Sequence, residues 1–326
     1  ATGTTVGDAT ELKSMDKVFA EHSDLNIGSL KSNMGHAITA AGIAGLLKIL
    51  GAMENKTLPP TLSEEHTLDG SRFNLVTEAK PWTSAGTRKA GLSAFGFGGN
   101  NAHLILEEYQ PQQIVNTTSH VATSVPLAVV GMGSILGQAR GVSELSSKLF
   151  SKAPLGSRTD TITLPMKGLK FPPNDLKQAL GQQLMMLAAT QEALNDAGTV
   201  NPKDTCVLMG MGCDPEVARY GARWRLKDWA ARLGLDKSQL QTLQDEIVPV
   251  LESPGVLGTM PNIVANRLSS QFDFTSFGFA ISSEELSGVR SLEVAMRALR
   301  SGEVNTAVVG AVDVSAEKVH AAALKG

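Results

Sequence analysis

The sequence has only two cysteines, no surplus of either charge and no long apolar run. Cys206 and Cys213 stand in a chain without a recognisable secretory signal, which favours a reducing compartment, here the cytoplasm, over a disulfide framework. The longest uncharged apolar stretch, residues 37–47, is shorter than the roughly 20 residues that a membrane span needs. No membrane span is therefore predicted, and the stretch is interpreted as a buried helix.

The charges nearly balance, with 29 Lys and Arg against 32 Asp and Glu. The sequence has no surplus of basic residues that would indicate nucleic-acid binding. No metal site is predicted. The apolar content of 42% allows a sizeable core in a chain of 326 residues, enough for two domains of ordinary size or one large one. The start, "ATGTTVGDATEL", has neither an initiator Met nor a signal sequence, so we interpret the chain as a fragment.

Strand and helix patterns alternate along the chain, which predicts an α/β architecture with buried, mostly parallel strands. The predicted strands include "LNIGSL", "PLAVVGMG", "TCVLMGMG" and "TAVVGAVDV", and "KAGLSAFGFGGNNAHLILEE" is typical of two strands joined by a glycine-rich turn. Predicted helices cover residues 35–54, about 144–150, 174 or 175 to 198, and the residues before Gly302. The polar stretch 109–125 is the predicted linker between segments 1–108 and 126–326.

The helix predicted at 35–54 has little polar surface, so we expect both of its faces to be covered. Gly42 and Gly45 each cost about 1 kcal/mol relative to alanine in a helix, which indicates close approach of another backbone on that side.

Two glycine-rich stretches raise the question of nucleotide binding. "GMGSILG" follows a predicted strand, but its spacing departs by one residue from the dinucleotide fingerprint, and no acidic residue ends a second strand about 20 positions on. A tight turn is favoured there. "GFGGNNAH" lacks the Lys-Ser or Lys-Thr of a phosphate loop; it is either a glycine-rich hairpin or a turn that offers backbone N–H groups to a ligand oxygen.

His36 is the candidate catalytic histidine, and the alternative is a structural histidine at a helix end. Lys31 precedes it by five residues in a predicted strand-to-helix loop. The positive end of a helix dipole favours a neutral imidazole, which can donate a hydrogen bond to a carbonyl or enolate oxygen. His103 is interpreted as structural. Neither cysteine is a good nucleophile: Cys206 is predicted in the core, and Asp214 disfavours a thiolate at Cys213.

Three ordered motifs, "TGTTVGD", "GSLKSNMGHAITAAGIAGLLK" and "GLSAFGFGGNNAHLILEE", resemble the C-terminal half of a β-ketoacyl synthase domain. The later stretches "PLAVVGMG", "QEALNDAG", "NIVANRLSSQFDF" and "ALRSGEVNTAVVGAVD" resemble the N-terminal half of another such domain. The resemblance implies a thiolase-like layered αβαβα fold, present as two partial domains.

The resemblance also implies roles for individual residues. In the family a cysteine carries an acyl thioester, and an enolate formed by decarboxylation of a malonyl thioester attacks it. His36 matches a histidine that stabilises the enolate oxygen, and Lys31 matches the lysine that supports it. The matches for contacting the phosphopantetheine arm and for gating the site are Thr2, Thr4, Phe95, Phe97 and Asn101.

Two departures from the family pattern matter. The nucleophilic cysteine and the first catalytic histidine are expected before Ala1, so the fragment itself is expected to be inactive. In the second segment Glu285 stands at the nucleophile position, and a carboxylate there cannot hold an acyl thioester. That segment, 126–326, therefore resembles a chain-length factor, an inactive ketosynthase copy that pairs with an active ketosynthase.

This order resembles a multifunctional polyunsaturated fatty acid synthase. The alternative is a modular polyketide synthase whose degenerate second copy acts as a decarboxylase or scaffold. The resemblance implies no directly bound cofactor and substrates carried on the phosphopantetheine of an acyl carrier protein. It implies three kinds of partner: that carrier protein, a ketosynthase–chain-length-factor pseudo-dimer or homodimer, and other synthase subunits.

Overall fold

A computed structural model describes residues 3–22, 24–62, 68, 71–111, 125–156, 158–159, 161–212, 217–314 and 322. The chain divides into two compact units. The first comprises Ala1–Gly96 and Asn101–His120, and the second comprises Phe97–Asn100 and Val121–Gly326. Parallel strands and helices build the larger unit, so the predicted α/β class is confirmed. No helix in the described ranges is both long and apolar enough to cross a bilayer.

In its described residues, the first unit combines helices with short strand pairs. The helices are α1 (Thr5–Val18), α2 (Lys31–Met34) and α3 (Ala41–Glu54), and the strands are β1 (Leu25–Ile27), β2 (Thr57–Leu58), β3 (Phe73–Leu75), β4 (Lys80–Pro81), β5 (Lys89–Phe95) and β6 (Asn101–Glu107). β1 runs parallel to β3, whereas β2 pairs with β4 and β5 with β6 in antiparallel fashion. The predicted strand, glycine-rich turn and strand at 89–107 are therefore confirmed.

Helix α3 packs against β5 through its glycines. A Cβ added at Gly45 would lie 2.8 Å from Leu92 Cδ1, and one at Gly42 would lie 3.6 Å from Ala94 Cβ. The predicted close approach is thus present, although side chains of β5 rather than another backbone make it. The expectation that both faces of this helix are covered is wrong for the first unit, because Ile43 and Leu47 are more than 60% exposed.

The helix predicted from residue 35 begins later. Gly35 ends α2 with a φ of 78°, and Ile38, at a φ of 47°, opens a separate 3-10 turn, Ile38–Ala40, before α3 starts at Ala41. These two left-handed residues interrupt the helical path. His36 therefore lies in a connection between helices rather than at the first turn of α3.

The second unit contains helices α4 (Val142–Phe150), α5 (Pro173–Lys177), α6 (Gly181–Ala197), α7 (Val217–Leu233), α8 (Lys237–Ile247), α9 (Ser253–Thr259), α10 (Ile263–Phe272) and α11 (Ser287–Arg300). Its strands are β7 (Ile135–Leu136), β8 (Ala139–Arg140), β9 (Thr205–Met211), β10 (Gly278–Ile281) and β11 (Thr306–Val312). The helix predicted from residue 174 to 198 is split into α5 and α6, although it ends at Gly198 as predicted.

A three-stranded parallel sheet, ordered β10-β9-β11, forms the centre of this unit. Every residue of β9 is buried, as expected for a parallel strand covered on both faces. Val207, Met209 and Met211 face a cluster that includes α6 and α10, and Cys206 and Leu208 face a cluster with α11. The alternation of side chains along β9 therefore joins two helical layers to one sheet.

The strand predicted for "PLAVVGMG" is wrong. Residues 125–134 form no strand, and Val129 is 82% exposed. Side chains of α6 accept hydrogen bonds from this segment instead: Met132 N donates to Asp196 Oδ2 at 3.0 Å and Ser134 N to Glu192 Oε2 at 2.9 Å.

The two glycines of this segment permit close approach to α6. A Cβ at Gly131 would lie 2.2 Å from Ala193 O, and one at Gly133 would lie still closer to the carbonyl oxygen of Ala189. The glycines thus serve packing against a helix, and the β7–β8 hairpin rather than a helix follows them. This arrangement lacks the strand-to-helix turn of a dinucleotide site.

Candidate functional site

The loop after β1 carries Lys31 and is held by several hydrogen bonds. Ser29 N donates to Thr61 Oγ1 at 2.9 Å, and Lys48 Nζ, on α3, donates to Ser29 O at 3.1 Å. Burial lowers the pKa of Lys48. Lys31 itself is half-buried and begins α2. Sequence reasoning missed Lys48 as a contact; its signal is a lysine with apolar residues on both sides inside α3.

His36 follows α2 and is exposed. Its Nδ1 accepts a hydrogen bond of 3.0 Å from the backbone N–H of Ile38. An imidazole nitrogen that accepts from an N–H carries no hydrogen, so the neutral ring has its hydrogen on Nε2. The local backbone thereby leaves Nε2–H as a donor, which is the form that a carbonyl or enolate oxygen requires.

The strain at Ile38 belongs to this arrangement. A β-branched residue at a φ of 47° is a conformational outlier, and such outliers concentrate at functional sites. The N–H of this same residue, Ile38, donates to the His36 ring. The locally unfavourable backbone conformation therefore occurs at the residue that orients the imidazole.

Of the two predicted threonines, the structure describes Thr4. Thr4 is exposed and is the N-cap of α1, where its Oγ1 accepts from Gly7 N at 3.2 Å. This capping bond gives Thr4 a structural role in addition to the predicted contact with a phosphopantetheine arm. Thr2 lies outside the described residues.

Phe95 and Asn101 face each other at the end of the β5–β6 hairpin, where they are register partners. Phe95 is 54% exposed and Asn101 is exposed. Behind them, Ser93 Oγ and His103 Nδ1 are hydrogen-bonded across the strands at 2.9 Å. The structural interpretation of His103 is consistent with this position in the hairpin.

Phe97 opens the 3-10 turn Phe97–Gly99 and is 66% exposed. The turn needs glycine, because Gly98 has a φ of 79° and Gly99 a φ of 91°. The carbonyl oxygen of Phe97 accepts a hydrogen bond from Asn266 Nδ2 of α10 at 2.9 Å. Sequence reasoning also missed this asparagine, which stands inside "NIVANRLSS" with no local signal of its partner.

Glu285 lies in the 3-10 turn Glu284–Leu286, which joins β10 to α11. Its side chain is exposed, and it precedes the first residue of α11 by two positions. Ser287 Oγ donates to Glu284 O at 2.6 Å and accepts from Ser283 N at 2.9 Å, which fixes the turn. Carboxylates at a helix N-terminus interact favourably with the helix dipole.

Cys206 is unsuited to nucleophilic chemistry. It is fully buried in β9, and burial raises the pKa of its thiol to about 11. A thiol with such a pKa is protonated near neutral pH, whereas the nucleophile is the thiolate. Its predicted place in the core is confirmed. Cys213 lies outside the described residues.

Within the described part of the chain, no group of three or more His, Cys, Asp or Glu side chains is placed to hold a metal ion. In the first unit His36 has its Nε2–H available, and Lys31 and the end of the β5–β6 hairpin belong to the same unit. The His36 Nε2–H can donate a hydrogen bond to an oxygen that gains negative charge. The second unit, described by itself, places the carboxylate of Glu285 at a strand-to-helix turn.

Comparison with protein-family models gives matches along the whole chain. "Beta-ketoacyl synthase, C-terminal domain" matches residues 1–65, "Ketoacyl-synthetase C-terminal extension" residues 63–171, and "Beta-ketoacyl synthase, N-terminal domain" residues 160–325. A C-terminal domain therefore precedes an N-terminal one, as the motifs predict. The extension match runs through the predicted linker at 109–125.

Among the similar proteins, a component of the polyunsaturated fatty acid synthase of Thraustochytrium sp. (strain ATCC 26185 / S-3) is 28% identical, over 98% of this chain and 18% of its own length. "Polyketide synthase PksL" of Bacillus subtilis (strain 168) is 45% identical over 34% of this chain and 3% of its own length. The solved structure "PfaC Keto synthase-Chain length factor" has a TM-score of 0.76 and 28% identity, covering 98% of this chain and 39% of that one. The chain spans a small part of these relatives.

Proposed function

Because this chain belongs to the β-ketoacyl synthase family and carries two thiolase-like domain halves in the order C-terminal, then N-terminal, we propose that it joins a condensing ketosynthase to a chain-length factor. The proposed parent protein is a multifunctional polyunsaturated fatty acid synthase. The proposed reaction is a decarboxylative condensation of a malonyl thioester with an acyl thioester, both presented by acyl carrier protein. The similarity to a polyunsaturated fatty acid synthase component along nearly the whole chain supports this assignment.

The observation that carries the proposal is the hydrogen bond from Ile38 N to His36 Nδ1. In the proposed reaction the C–C bond to the malonyl carboxylate breaks, carbon dioxide leaves, and the electron pair becomes an enolate. The His36 Nε2–H donates to the enolate oxygen. The enolate carbon then attacks the acyl thioester carbonyl, and the tetrahedral intermediate expels the enzyme's thiolate.

Substitution of His36 tests this role in the full-length synthase. His36→Ala removes the donor, and loss of one such donor typically lowers kcat by about 10²–10³-fold. His22→Ala, an exposed histidine on the same unit, is the matched control and should retain activity. Condensation and carbon dioxide release are followed together with malonyl and acyl groups on carrier protein. Equal activity of the two variants would refute the role of His36.

We also propose that the 326-residue chain alone accepts no acyl group. Cys206 is buried, and Glu285 occupies the position that matches the family's nucleophile. A radiolabelled acyl thioester should therefore leave the chain unlabelled under native conditions. Covalent labelling of any residue would overturn the proposal, and peptide mapping would identify the acceptor.

A decarboxylating second domain is the alternative, and the exposed carboxylate of Glu285 in the turn before α11 is the observation that favours it. In that case malonyl thioesters would release carbon dioxide without condensation, and Glu285→Ala would abolish this uncoupled release. For a chain-length factor, the same substitution should leave carbon dioxide release coupled to condensation and dependent on His36.

A further inference from the structure

The turn Phe97–Gly99 is held by helix α10. Asn266 Nδ2 donates to Phe97 O at 2.9 Å, and Asn262 Nδ2, one helical turn earlier, approaches the same oxygen at 3.4 Å. Both asparagines are half-buried and share one face of the helix. The turn and α10 belong to the same compact unit, although they lie more than 160 residues apart in sequence. One backbone carbonyl thus receives two side-chain amides.

Space around the turn is restricted on one side only. A Cβ at Gly98 would lie 2.5 Å from Asn266 Nδ2 and 3.0 Å from Ile263 Cδ1, whereas a Cβ at Gly99 would meet nothing within 4 Å. Both glycines have positive φ, so backbone conformation alone does not distinguish them. Helix α10 therefore contacts the Phe97–Gly98 peptide group itself.

Fixing this carbonyl fixes more than one atom. The peptide is planar and trans, so a Phe97 C=O directed at α10 requires the Gly98 N–H to point away from that helix. The flanking glycines would otherwise let the turn sample many conformations. Two amides that donate to one oxygen limit the orientation of the peptide. They thereby also limit the backbone position from which the exposed Phe97 side chain changes its rotamer.

We propose that Asn266, assisted by Asn262, is a positioning residue that sets the conformation of the Phe97 gate. The inference rests on the proposed function, in which Phe97 gates entry of the acyl chain. It adds that α10, within the same compact unit, controls the conformation of this turn. Helix α10 thereby acts on the Phe97 gate through one backbone carbonyl.

Chymotrypsin cleavage after Phe97 in the native chain provides a readout that is independent of catalysis. Asn266→Asp keeps the shape of the side chain, but a carboxylate cannot donate to a carbonyl. Removing one hydrogen bond should raise the open population of the turn, and hence the cleavage rate there, by about fivefold. Ser270→Ala, an exposed position on the same helix, is the matched control and should cleave like the wild type.

Cleavage after Phe274 serves as an internal reference in the same digest, because this residue is buried in the core beside α10. The inference requires faster cleavage after Phe97 with an unchanged rate after Phe274. Equal acceleration at both sites would mean that Asn266 only stabilises the helix and would overturn it. An unchanged rate after Phe97 in Asn266→Asp would overturn it as well.

A second pair of variants tests the contact without changing Asn266. Gly98→Ala would place a methyl group against the Asn266 amide, whereas Gly99→Ala would enter open space at a similar φ. Cleavage after Phe97 should therefore rise several-fold more in Gly98→Ala than in Gly99→Ala. Asn266→Ala should reduce this difference, and additive effects of the two changes would contradict a direct contact.

Kinetics of the full-length synthase separate this inference from the proposed function. Asn266→Asp should lower kcat/KM for acyl loading by about fivefold, with carbon dioxide release from malonyl thioesters retained. If the wild-type synthase does not condense, the proposed function fails while the cleavage results still test the turn. If the wild type condenses and Asn266→Asp loads normally, the inference fails alone.

Discussion

At the scale of the residue, the hydrogen on the His36 ring is determined by a backbone group two positions later. The Ile38 N–H donates a hydrogen bond to Nδ1, so the hydrogen of the neutral ring is on Nε2. The identity of the histidine could be predicted from its motif. The tautomer could not, because it depends on the positive φ of Ile38, which no local propensity predicts for a β-branched residue.

Burial should protect Cys206 from thiol reagents. Its raised pKa of about 11 keeps it protonated at neutral pH, and the side chain is fully buried. In a Cys213→Ser variant, where Cys206 is the remaining cysteine, we expect almost no reaction with a disulfide reagent at pH 7 until denaturant is added. Rapid stoichiometric labelling of the native variant would contradict this burial.

The same thiol predicts how stability changes at high pH. The unfolded thiol ionises near its ordinary pKa of 9.0 and the folded one near 11, so between these values the folded state binds more protons. The free energy of unfolding should therefore be unaffected by this group below about pH 9 and should fall as pH rises toward 11. Denaturant titrations of Cys206→Ala should lack this part of the decline.

The ion pair between Arg88 and Glu108 predicts the opposite dependence at low pH. Arg88 Nη1 donates to both carboxylate oxygens, at 2.9 Å and 2.8 Å, and this hydrogen bonding lowers the pKa of Glu108. The contribution of the pair is therefore present above pH 4.5, the ordinary value, and is lost as pH falls through the lowered pKa.

Glu108→Gln tests this dependence. The stability difference from wild type should be largest at neutral pH and should narrow below about pH 4.5, as measured by denaturant unfolding at several pH values. Glu107→Gln, which alters the more exposed neighbouring pair with Lys89, is the control and should give a smaller difference. A difference for Glu108→Gln that does not change with pH would exclude the carboxylate as its source.

At the scale of the element, the sequence predicts segments that pair with another strand, but it does not distinguish them from a similar segment that has no strand partner. The run "TCVLMGMG" is β9 and lies between two parallel strands. The similar run "PLAVVGMG" is not a strand; the N–H of Met132 within it and that of Ser134 after it donate to carboxylates of α6. Composition predicts a tendency to be extended, but it does not identify the hydrogen-bond partners.

The predicted start of the helix at residue 35 is wrong for a related reason. The alanine-rich sequence after Gly35 favours a helix by propensity, yet α3 begins only at Ala41. The interruption serves the placement of His36, which depends on tertiary structure. The candidate residues themselves came from motif resemblance, whereas Lys48 and Asn266, which contact backbone carbonyls far away in sequence, required the structure.

Contact between β9 and α11 depends on Gly210. An added Cβ there would lie 2.4 Å from Ser287 O and 2.6 Å from Gly288 N, which are backbone atoms that cannot turn aside. Gly210→Ala should therefore lower the free energy of unfolding by about 1–3 kcal/mol. Gly212→Ala, two positions along, would meet nothing within 4 Å and is the control. Similar unfolding midpoints for both variants would contradict the packing described.

At the scale of the whole molecule, the boundary between the two units falls between His120 and Val121, inside the predicted linker at 109–125. We propose that this stretch joins two separately folded parts. Dilute trypsin has no Lys or Arg there to cut, so a broad-specificity protease such as subtilisin is suitable. Mass spectrometry should find the earliest cuts within 109–125. Earliest cuts outside 109–125 would contradict the proposed linker. The match to the C-terminal extension covers residues on both sides of this stretch, 63–171, which is why the position of the first cut matters.

The complete burial of β9 also constrains how its sequence can change over evolutionary time. Its odd and even positions belong to different helical layers, Val207 and Met209 on one side and Cys206 and Leu208 on the other. Inserting or deleting one residue in this strand would transfer every following side chain to the opposite layer. Lineages carrying this domain should therefore diverge here by exchange of one apolar residue for another, and differences in length should accumulate outside the strand.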